Sequence, residues 1–363
     1  MSRTADVLNA LANFNDPYRG PVNLVDRGEA RVDSFEGGAL VVTVMLAYVA
    51  EGRRAAIDAA LRQLLQALPG VTSLTLNLGW QVVESPVRSG MPGLEGVKNI
   101  IAVASGKGGV GKSSTAVNLA LALQAEGARV GILDADIYGP SQQMMLGVAA
   151  DHRPRVINNE FFEPVEAHGL QSMSMAYLVT DKTPMVWRGP MASGALQQML
   201  QQTRWNKLDY LIVDMPPGTG DIQLTLSQKV PVTGTVIVTT PQDIALLDAK
   251  KGIEMFRKVD ITVLGVIENM ALHICPKCSH ESHVFGQGGG ERIAKEYGVP
   301  LLGSLPLDAR IREQLDAGTP TVAAEPDGPI AAHYREIART LSARISELAL
   351  QQKPGPRIVI SND

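Results

Sequence analysis

The chain is expected to fold as α/β, with a mostly parallel sheet covered by helices on both faces and a small α+β domain ahead of it. Three observations carry this. From Val97 onward, short apolar, β-branched runs alternate with stretches whose apolar residues recur at helical spacing. That alternation is the mark of a parallel sheet with crossover helices. Residues up to about Val83 follow a different order, helix, two strands, helix, strand. Between the two, Glu84 to Gly96 carries Pro86, Gly90, Pro92, Gly93 and Gly96, the composition of a linker. The expected segments are therefore a small domain over 1–83, a linker over 84–96, a large domain over 97–350 and a Pro/Gly-containing tail over 351–363.

In order, Ala5 to Phe14 is short and amphipathic, and Asn15-Asp16-Pro17 and Arg19-Gly20-Pro21 are turn signals. Ala30 to Val32 and Ala39 to Leu46 read as strands with Glu36-Gly37-Gly38 as their turn. Arg53 to Leu68 places Ile57, Leu61, Leu64, Leu65 and Leu68 on one helical face, Pro69-Gly70 ends it, and Leu74, Leu76 and Leu78 alternate as in a half-buried strand. This small module has no cysteine and no catalytic cluster, so docking or regulation is its expected role. In the large domain the expected strands are Ile100–Ala104, Arg129–Leu133, Tyr210–Val213, Thr235–Val238, Val263–Glu268 and Leu301–Ser304. Ile330 to Leu350 is a terminal helix with Tyr334, Ile337, Leu341, Ile345 and Leu348 at helical spacing, and Arg357 to Ile360 is a candidate short strand.

Composition excludes several classes. A formal charge of −4 over 363 residues leaves no electrostatic footprint for nucleic acid or an anionic membrane. No apolar run is long enough to span a bilayer. Met1 to Asn15 lacks the apolar core and basic flank of a signal peptide, and two cysteines argue against a disulfide-built secreted chain. A reducing cytoplasm is the expected compartment.

The most informative stretch is Gly106-Lys107-Gly108-Gly109-Val110-Gly111-Lys112-Ser113, which fits G-x-x-x-x-G-K-[ST]. It lies between the strand ending at Ala104 and a helical stretch from Ser114 to Ala125. A loop so placed aims successive backbone N–H groups and the positive helix end at an anion. The glycines permit close backbone approach, Lys112 reaches the β- and γ-phosphates, and the Ser113 hydroxyl ligates Mg²⁺. Leu211-Ile212-Val213-Asp214 is a strand ending in an acid, as expected of a Walker B element, and Pro216-Pro217-Gly218-Thr219-Gly220-Asp221 after it is a candidate switch. Asp134 and Asp136 close another strand at the same sheet edge, where ligands of open α/β sheets sit. Asp136 is the candidate for chemistry and Asp134 for support as a cap or turn former.

The only cysteines are Cys275 and Cys278, in His273-Ile274-Cys275-Pro276-Lys277-Cys278-Ser279-His280. C-x-x-C alone is ambiguous. It suits a redox pair, an in-chain zinc site recruiting His273, His280 or His283, half of a cluster site, or a purely structural pair. Iron–sulfur clusters usually take four thiolates, and two chains about a two-fold axis supply four.

Taken together these residues resemble a known family. The second lysine, Lys107, makes the loop look like the deviant Walker A motif of the SIMIBI class, which includes MinD, ParA and the nitrogenase iron protein. Asp134-Ala135-Asp136-Ile137-Tyr138-Gly139-Pro140-Ser141, Trp187-Arg188-Gly189-Pro190-Met191, Asp214 to Asp221, Glu268-Asn269-Met270 and Cys275-Pro276-Lys277-Cys278 narrow the resemblance to the Mrp/ApbC-type iron–sulfur cluster carriers, over about Val97 to Leu348. The small N-terminal module resembles the domain that bacterial members share with other iron–sulfur assembly factors.

The resemblance implies a P-loop ATPase fold and a homodimer that hydrolyses ATP; slow turnover is expected separately, since a carrier gains nothing from fast idle hydrolysis. It implies a [4Fe–4S] cluster on Cys275 and Cys278 bridging the dimer, received from scaffold proteins and passed to apo iron–sulfur proteins. It implies nucleotide binding by Gly106 to Ser114, with Lys112 and Ser113 on phosphate and Mg²⁺, Asp136 near the attacking water and Asp214 near the metal. Lys107 would reach the partner's ATP, and Asn269 would contact adenine. It supplies no physical role for Trp187 to Met191. Where relatives tend to carry Asp-Pro-Glu this chain has Asp16-Pro17-Tyr18, and a reactive cysteine of some related domains is absent; cluster chemistry by the small domain alone is not expected. Two rivals stand beside this reading: a ParA/MinD-like positioning ATPase, and the same ATPase with a structural zinc across the dimer.

Overall fold

The structure, a computed structural model, describes residues 3–87, 91–178, 189–220, 223–225 and 229–351. The chain divides into two compact units, one formed by Met1–Pro86 with Ser342–Asp363 and the other by Val87–Leu341.

In the first unit, helix α1 (Arg3–Ala12) leads into a small hairpin of β1 (Phe14–Asp16) and β2 (Gly20–Val22). The helix stops short of the expected Phe14 because Phe14 pairs with Val22. The Asp16 carboxylate accepts the N–H groups of Tyr18 and Arg19 and so closes the turn between the strands. Strands β3 (Ala30–Glu36), β4 (Ala39–Leu46) and β5 (Ser73–Trp80) form a sheet in that order. β3 and β4 are antiparallel across Gly37 and Gly38, both at positive φ, as a tight two-residue hairpin turn requires. β5 runs parallel to β4, reached through helix α2 (Arg54–Gln66). Leu40, Val42, Val44 and Leu46 alternate inward and meet Val7, Leu11, Ile57, Leu61 and Leu65 in one core.

The second unit holds the parallel sheet. Its elements are β6 (Val97–Ala104), α3 (Lys112–Ala125), β7 (Val130–Asp134), α4 (Gln142–Met145), the short strands β8 (Val156–Ile157), β9 (Phe161–Phe162), β10 (Val165–Ala167) and β11 (Leu170–Ser174), then α5 (Gly189–Gln202) and β12 (Leu208–Asp214). They are followed by β13 (Gly234–Thr239), α6 (Asp243–Lys258), β14 (Val263–Ile274), β15 (Glu281–Ser282), α7 (Gly289–Tyr297), β16 (Leu301–Pro306), α8 (Ala309–Asp316) and α9 (Thr321–Ala324). Parallel strands run in the order β11-β7-β12-β6-β13-β14-β16, with β10 antiparallel at one edge and β15 antiparallel to the end of β14. Every residue of β7, β12 and β13 is buried, as strands covered on both faces must be. The chain leaves β6 toward β7 on one side, while β13 lies on the other. The loop after β6 therefore opens at a topological switch point, where open α/β sheets bind ligands.

Helix α10 (Pro329–Gln351) ends the described chain and passes from the second unit into the first. Its Arg335 and Arg339 both bind the buried Glu126 at the end of α3, so they are internal ion-pair partners and not an open basic stripe. The expected short strand over Arg357 to Ile360 lies outside the described residues. β14 extends six residues beyond the expected Glu268, to Ile274, because β15 pairs back onto it.

Candidate functional site

The loop after β6 has the shape its composition calls for. Gly109 and Gly111 sit at φ +81° and +80°, which a side chain strains to adopt, and Gly111 is the residue that opens α3. A Cβ on Gly106 would lie 2.2 Å from backbone atoms of Asp248 in α6, so the loop starts against that helix. Gly108 and Gly109 face open space. The Asn269 amide, at the bend of β14, donates to the Val110 carbonyl at 2.9 Å and closes the loop from the other side. Asn269 also lines, with Gly111, Ser114, Asp308, Arg312 and Tyr334, a cavity of about 200 Å³ beside the first turn of α3.

Strand register brings the acids together. Asp214 ends β12 directly opposite Asp134 of the parallel β7, and both are fully buried. The Lys112 ammonium binds Asp214 Oδ1 and lies 3.0 Å from Ser113 Oγ. Asp134 accepts the N–H groups of Ser141 and Gln142 at 2.9 and 3.0 Å, the Ser174 hydroxyl at 3.2 Å, and the Asp136 N–H at 3.2 Å. Burial, and then the neighbouring Asp214, push the Asp134 carboxyl up to about 7 against the pull of the Gln142 N–H and Lys112. Asp134 thus fixes the turn that carries Asp136 and starts α4. Asp136 itself is half-buried and accepts from the Gly139 N–H at 3.3 Å. The loop after β12 is tied in as well, Gly218 N–H donating to the Ser105 carbonyl at 3.1 Å.

Lys107 is half-buried and forms no ion pair with a described residue. Asp221, Trp187 and Arg188 lie outside the described residues; Gly189, Pro190 and Met191 open α5. Cys275 and Cys278 occupy the tip of the β14–β15 hairpin, closed by hydrogen bonds from Cys275 N to the His280 carbonyl and from Ser279 N to the Cys275 carbonyl. Cys275 is half-buried and Cys278 exposed. The N–H groups of Lys277 and Cys278, with the Cys278 thiol, hold the Cys275 thiol below the usual range. His273 and His283 turn their Nδ1 atoms to the carbonyls of Leu307 and Ala271, at 3.1 and 2.9 Å. Among the described residues no three His, Cys, Asp or Glu side chains are grouped to hold a metal ion. Cys275 also forms part of the wall of a cavity of about 560 Å³ with Leu272, Ile274, Leu305, Leu307 and Ile330.

Sequence reasoning missed Gln142 and Ser174. Ser174 closes a short strand that carries no pattern of its own. Gln142 is fully enclosed, its Nε2 donating to Asp214 Oδ2 at 2.9 Å and to the Ser113 carbonyl at 3.2 Å. The one signal available was its place directly after Gly139-Pro140-Ser141.

Comparison with known proteins agrees with this architecture. Residues 96–342 match the family of NUBPL iron-transfer P-loop NTPases, and residues 4–76 match the iron–sulfur cluster assembly protein family. The iron–sulfur cluster carrier protein of Pseudomonas fragi is 62% identical over 280 residues, 77% of this chain and 98% of the relative. That of Escherichia coli K12 is 51% identical over 341 residues, 94% of this chain and 92% of the relative. The mouse iron–sulfur cluster transfer protein NUBPL is 49% identical over 69% of this chain and 79% of its own length. Among solved structures, an ADP-bound nucleotide-binding protein of Archaeoglobus fulgidus superposes with a TM-score of 0.57 at 34% identity, covering 66% of this chain and 92% of that one. MinD of Pyrococcus furiosus shares the fold at a TM-score of 0.50 and 22% identity, over 67% of this chain and 98% of its own. A family match spanning the whole sheet, with relatives alike over nearly the full chain, means that this chain belongs to the NUBPL iron-transfer P-loop NTPases.

Proposed function

We propose that the protein is an ATP-hydrolysing carrier that holds an iron–sulfur cluster, a [4Fe–4S] cluster bridging a homodimer, and passes it to apo-proteins. The observation that carries this reading is the thiol pair itself. Two cysteines stand at a hairpin tip, one exposed, one with its thiolate favoured by backbone N–H groups, and no third described ligand is grouped with them. A site with half the usual thiolates suits a cluster shared between two copies and open enough to be surrendered. Exposed apolar side chains on loops and helix starts near the same sheet edge, Tyr138, Met144, Ile244 and Leu247, support a dimer.

Lys112 and the N–H groups of the loop hold the phosphates of ATP, with Gly106 to Ser114 as the cradle. The donor set fits Mg²⁺: one cation, the Lys112 ammonium, already lies between Ser113 Oγ and Asp214 Oδ1, two hard oxygens. Lys112 would exchange Asp214 for phosphate, and Mg²⁺ held in its place by Ser113 and Asp214 would neutralise charge on the β- and γ-phosphates. Asp136 orients the attacking water, Lys107 reaches the nucleotide of the second subunit, and Asn269 presents its amide to the base at the cavity beside Gly111. The small N-terminal domain serves as a docking or regulatory module. No helix among the described residues is long and apolar enough to cross a membrane, and we place the protein in the cytoplasm.

The test is anaerobic reconstitution with iron and sulfide, followed by transfer to an apo-acceptor. Wild-type protein gains the charge-transfer absorption of a cluster and activates the acceptor, and the Cys275→Ala, Cys278→Ala variant does neither. Equal cluster content and transfer in that variant, or stoichiometric zinc in its place in anaerobically purified wild-type protein, would overturn the reading.

A further inference from the structure

The side chain of Gln142 is a fully enclosed polar group at the nucleotide site without an assigned task. Its two amide hydrogens are accounted for: Nε2 faces two oxygens, Asp214 Oδ2 and the Ser113 carbonyl. Both partners are acceptors, so the NH₂ group must face them, and this fixes which end of the amide is which. Oε1 is therefore left pointing elsewhere, buried and with no donor. Meanwhile the main chain of Gln142 is pinned by its N–H to Asp134 Oδ2. One residue thus ties together the ends of β7 and β12 and the first turn of α3.

Asp214 has its two oxygens divided between two holders. Oδ1 belongs to Lys112 and Oδ2 to Gln142. When phosphate draws Lys112 away, the Gln142 amide is what keeps the carboxylate in place. A buried acceptor without a donor is unfavourable by itself. Beside Ser113 and Asp214, the strong donor that the chemistry of the site provides is water polarised by a bound divalent cation.

We propose that Gln142 is a positioning residue for the metal of the nucleotide site: its amide N–H groups hold Asp214 and the Ser113 carbonyl, and its Oε1 accepts a hydrogen bond from a water of the Mg²⁺ shell. The inference rests on the nucleotide reading above and adds a residue to it. It makes the contribution of Gln142 specific to the metal-bound complex. A purely structural Gln142 would affect nucleotide binding equally with and without metal.

The experiment measures binding of a fluorescent ADP analogue to the full-length protein, with Mg²⁺ and with EDTA. The Gln142→Met variant, close in length and without amide groups, loses some affinity in EDTA, because Asp214 loses its holder once phosphate draws Lys112 away, and loses about tenfold more with Mg²⁺, or about 1.4 kcal/mol. Gln142→Glu restores the gain that Mg²⁺ confers, because a protonated glutamic acid offers a hydroxyl to Asp214 and a carbonyl oxygen in the place of Oε1. An undiminished Mg²⁺ gain in a folded Gln142→Met protein overturns the proposal. Should Gln142→Met fail to fold, Gln142→Glu decides: loss of the Mg²⁺ gain there overturns it equally. Absence of ADP binding by wild-type protein in both conditions overturns the nucleotide reading and this inference with it.

Discussion

The two units each bury a cluster of charges, and the clusters are balanced differently. In the first unit the Arg19 guanidinium, its side chain fully enclosed, bonds both Asp16 and Glu29, and the Tyr48 hydroxyl donates to Asp16 while its ring lies 4.8 Å from the guanidinium. Glu347 of α10 stands at 3.9 Å and is itself held by Arg27. Each carboxylate oxygen there meets a donor fixed within the fold, and although burial works against the arginine's charge, Glu29 and Asp16 outweigh it and raise its proton affinity. In the second unit one lysine faces two carboxylates at neighbouring strand ends, and burial, then the charge of Asp214, raises the Asp134 carboxyl. A closed cluster serves the fold. An open one, short of positive charge and placed at a phosphate loop, is completed by a ligand.

The largest expected effect breaks the closed cluster. Arg19→Met leaves Asp16 and Glu29 buried without their common partner, and the loss of one member of a buried pair destabilises by about 3–5 kcal/mol. Urea unfolding, followed by a probe in the small domain, reads it directly. A loss below about 1 kcal/mol would mean that solvent reaches these carboxylates and that the two clusters do not differ in kind. Nucleotide affinity should stay at the wild-type level, since the residues that line the phosphate loop belong to the other unit.

How much of this was legible in sequence follows from how local each feature is. The phosphate loop is one contiguous string, so Gly106 to Ser113 could be placed before any fold was known. Asp134 and Asp214 could be put at one sheet edge because each closes an apolar run. That they stand side by side was not readable, because it depends on β12 inserting between β6 and β7. Gln142 was invisible for the same reason: glutamine carries no periodic signal, and its partners come from residues 29 and 72 positions away. The strands between Val156 and Ser174 were missed because runs of two to five residues show no alternation to count. The bend in β14 was missed because it is a backbone event: Met270 takes φ +57°, and its N–H turns back to Asn269 Oδ1 at 3.0 Å.

The second prediction tests the open cluster from its cationic side. Lys112→Ala removes the ammonium that, among the described residues, ion-pairs with Asp214 and, in the proposed function, faces the β- and γ-phosphates. Nucleotide affinity should fall about 100-fold, about 2.7 kcal/mol, as for the loss of charge-assisted hydrogen bonds to an anion. Fold stability should fall by less than in Arg19→Met, because Asp134, already raised to about 7, takes up a proton and relieves the two acids. Equal destabilisation by the two substitutions would show that both clusters are structural to the same degree.

The smallest effect concerns that proton itself. The Asp134 carboxyl stands at about 7 in the folded chain and returns to its ordinary 3.8 on unfolding. Between those values the folded protein holds a proton that the unfolded chain has released, so acid favours the folded state through this group. Its contribution is complete below about pH 4, declines as pH rises toward 7 and is gone above it. In the absence of nucleotide and Mg²⁺, stability should therefore decrease by about 1 kcal/mol from pH 6 to pH 7, within the limit of about 1.4 kcal/mol per unit set by one proton. Asp134→Asn cannot titrate. It forfeits a hydrogen bond, since an amide offers one acceptor where the carboxylate used both oxygens, so its stability is lower throughout, but its profile lacks that decline. Urea unfolding at intervals of pH on both proteins gives the difference. If the two profiles run parallel, the proton is not on Asp134 and the charge of the open cluster is balanced within the fold after all.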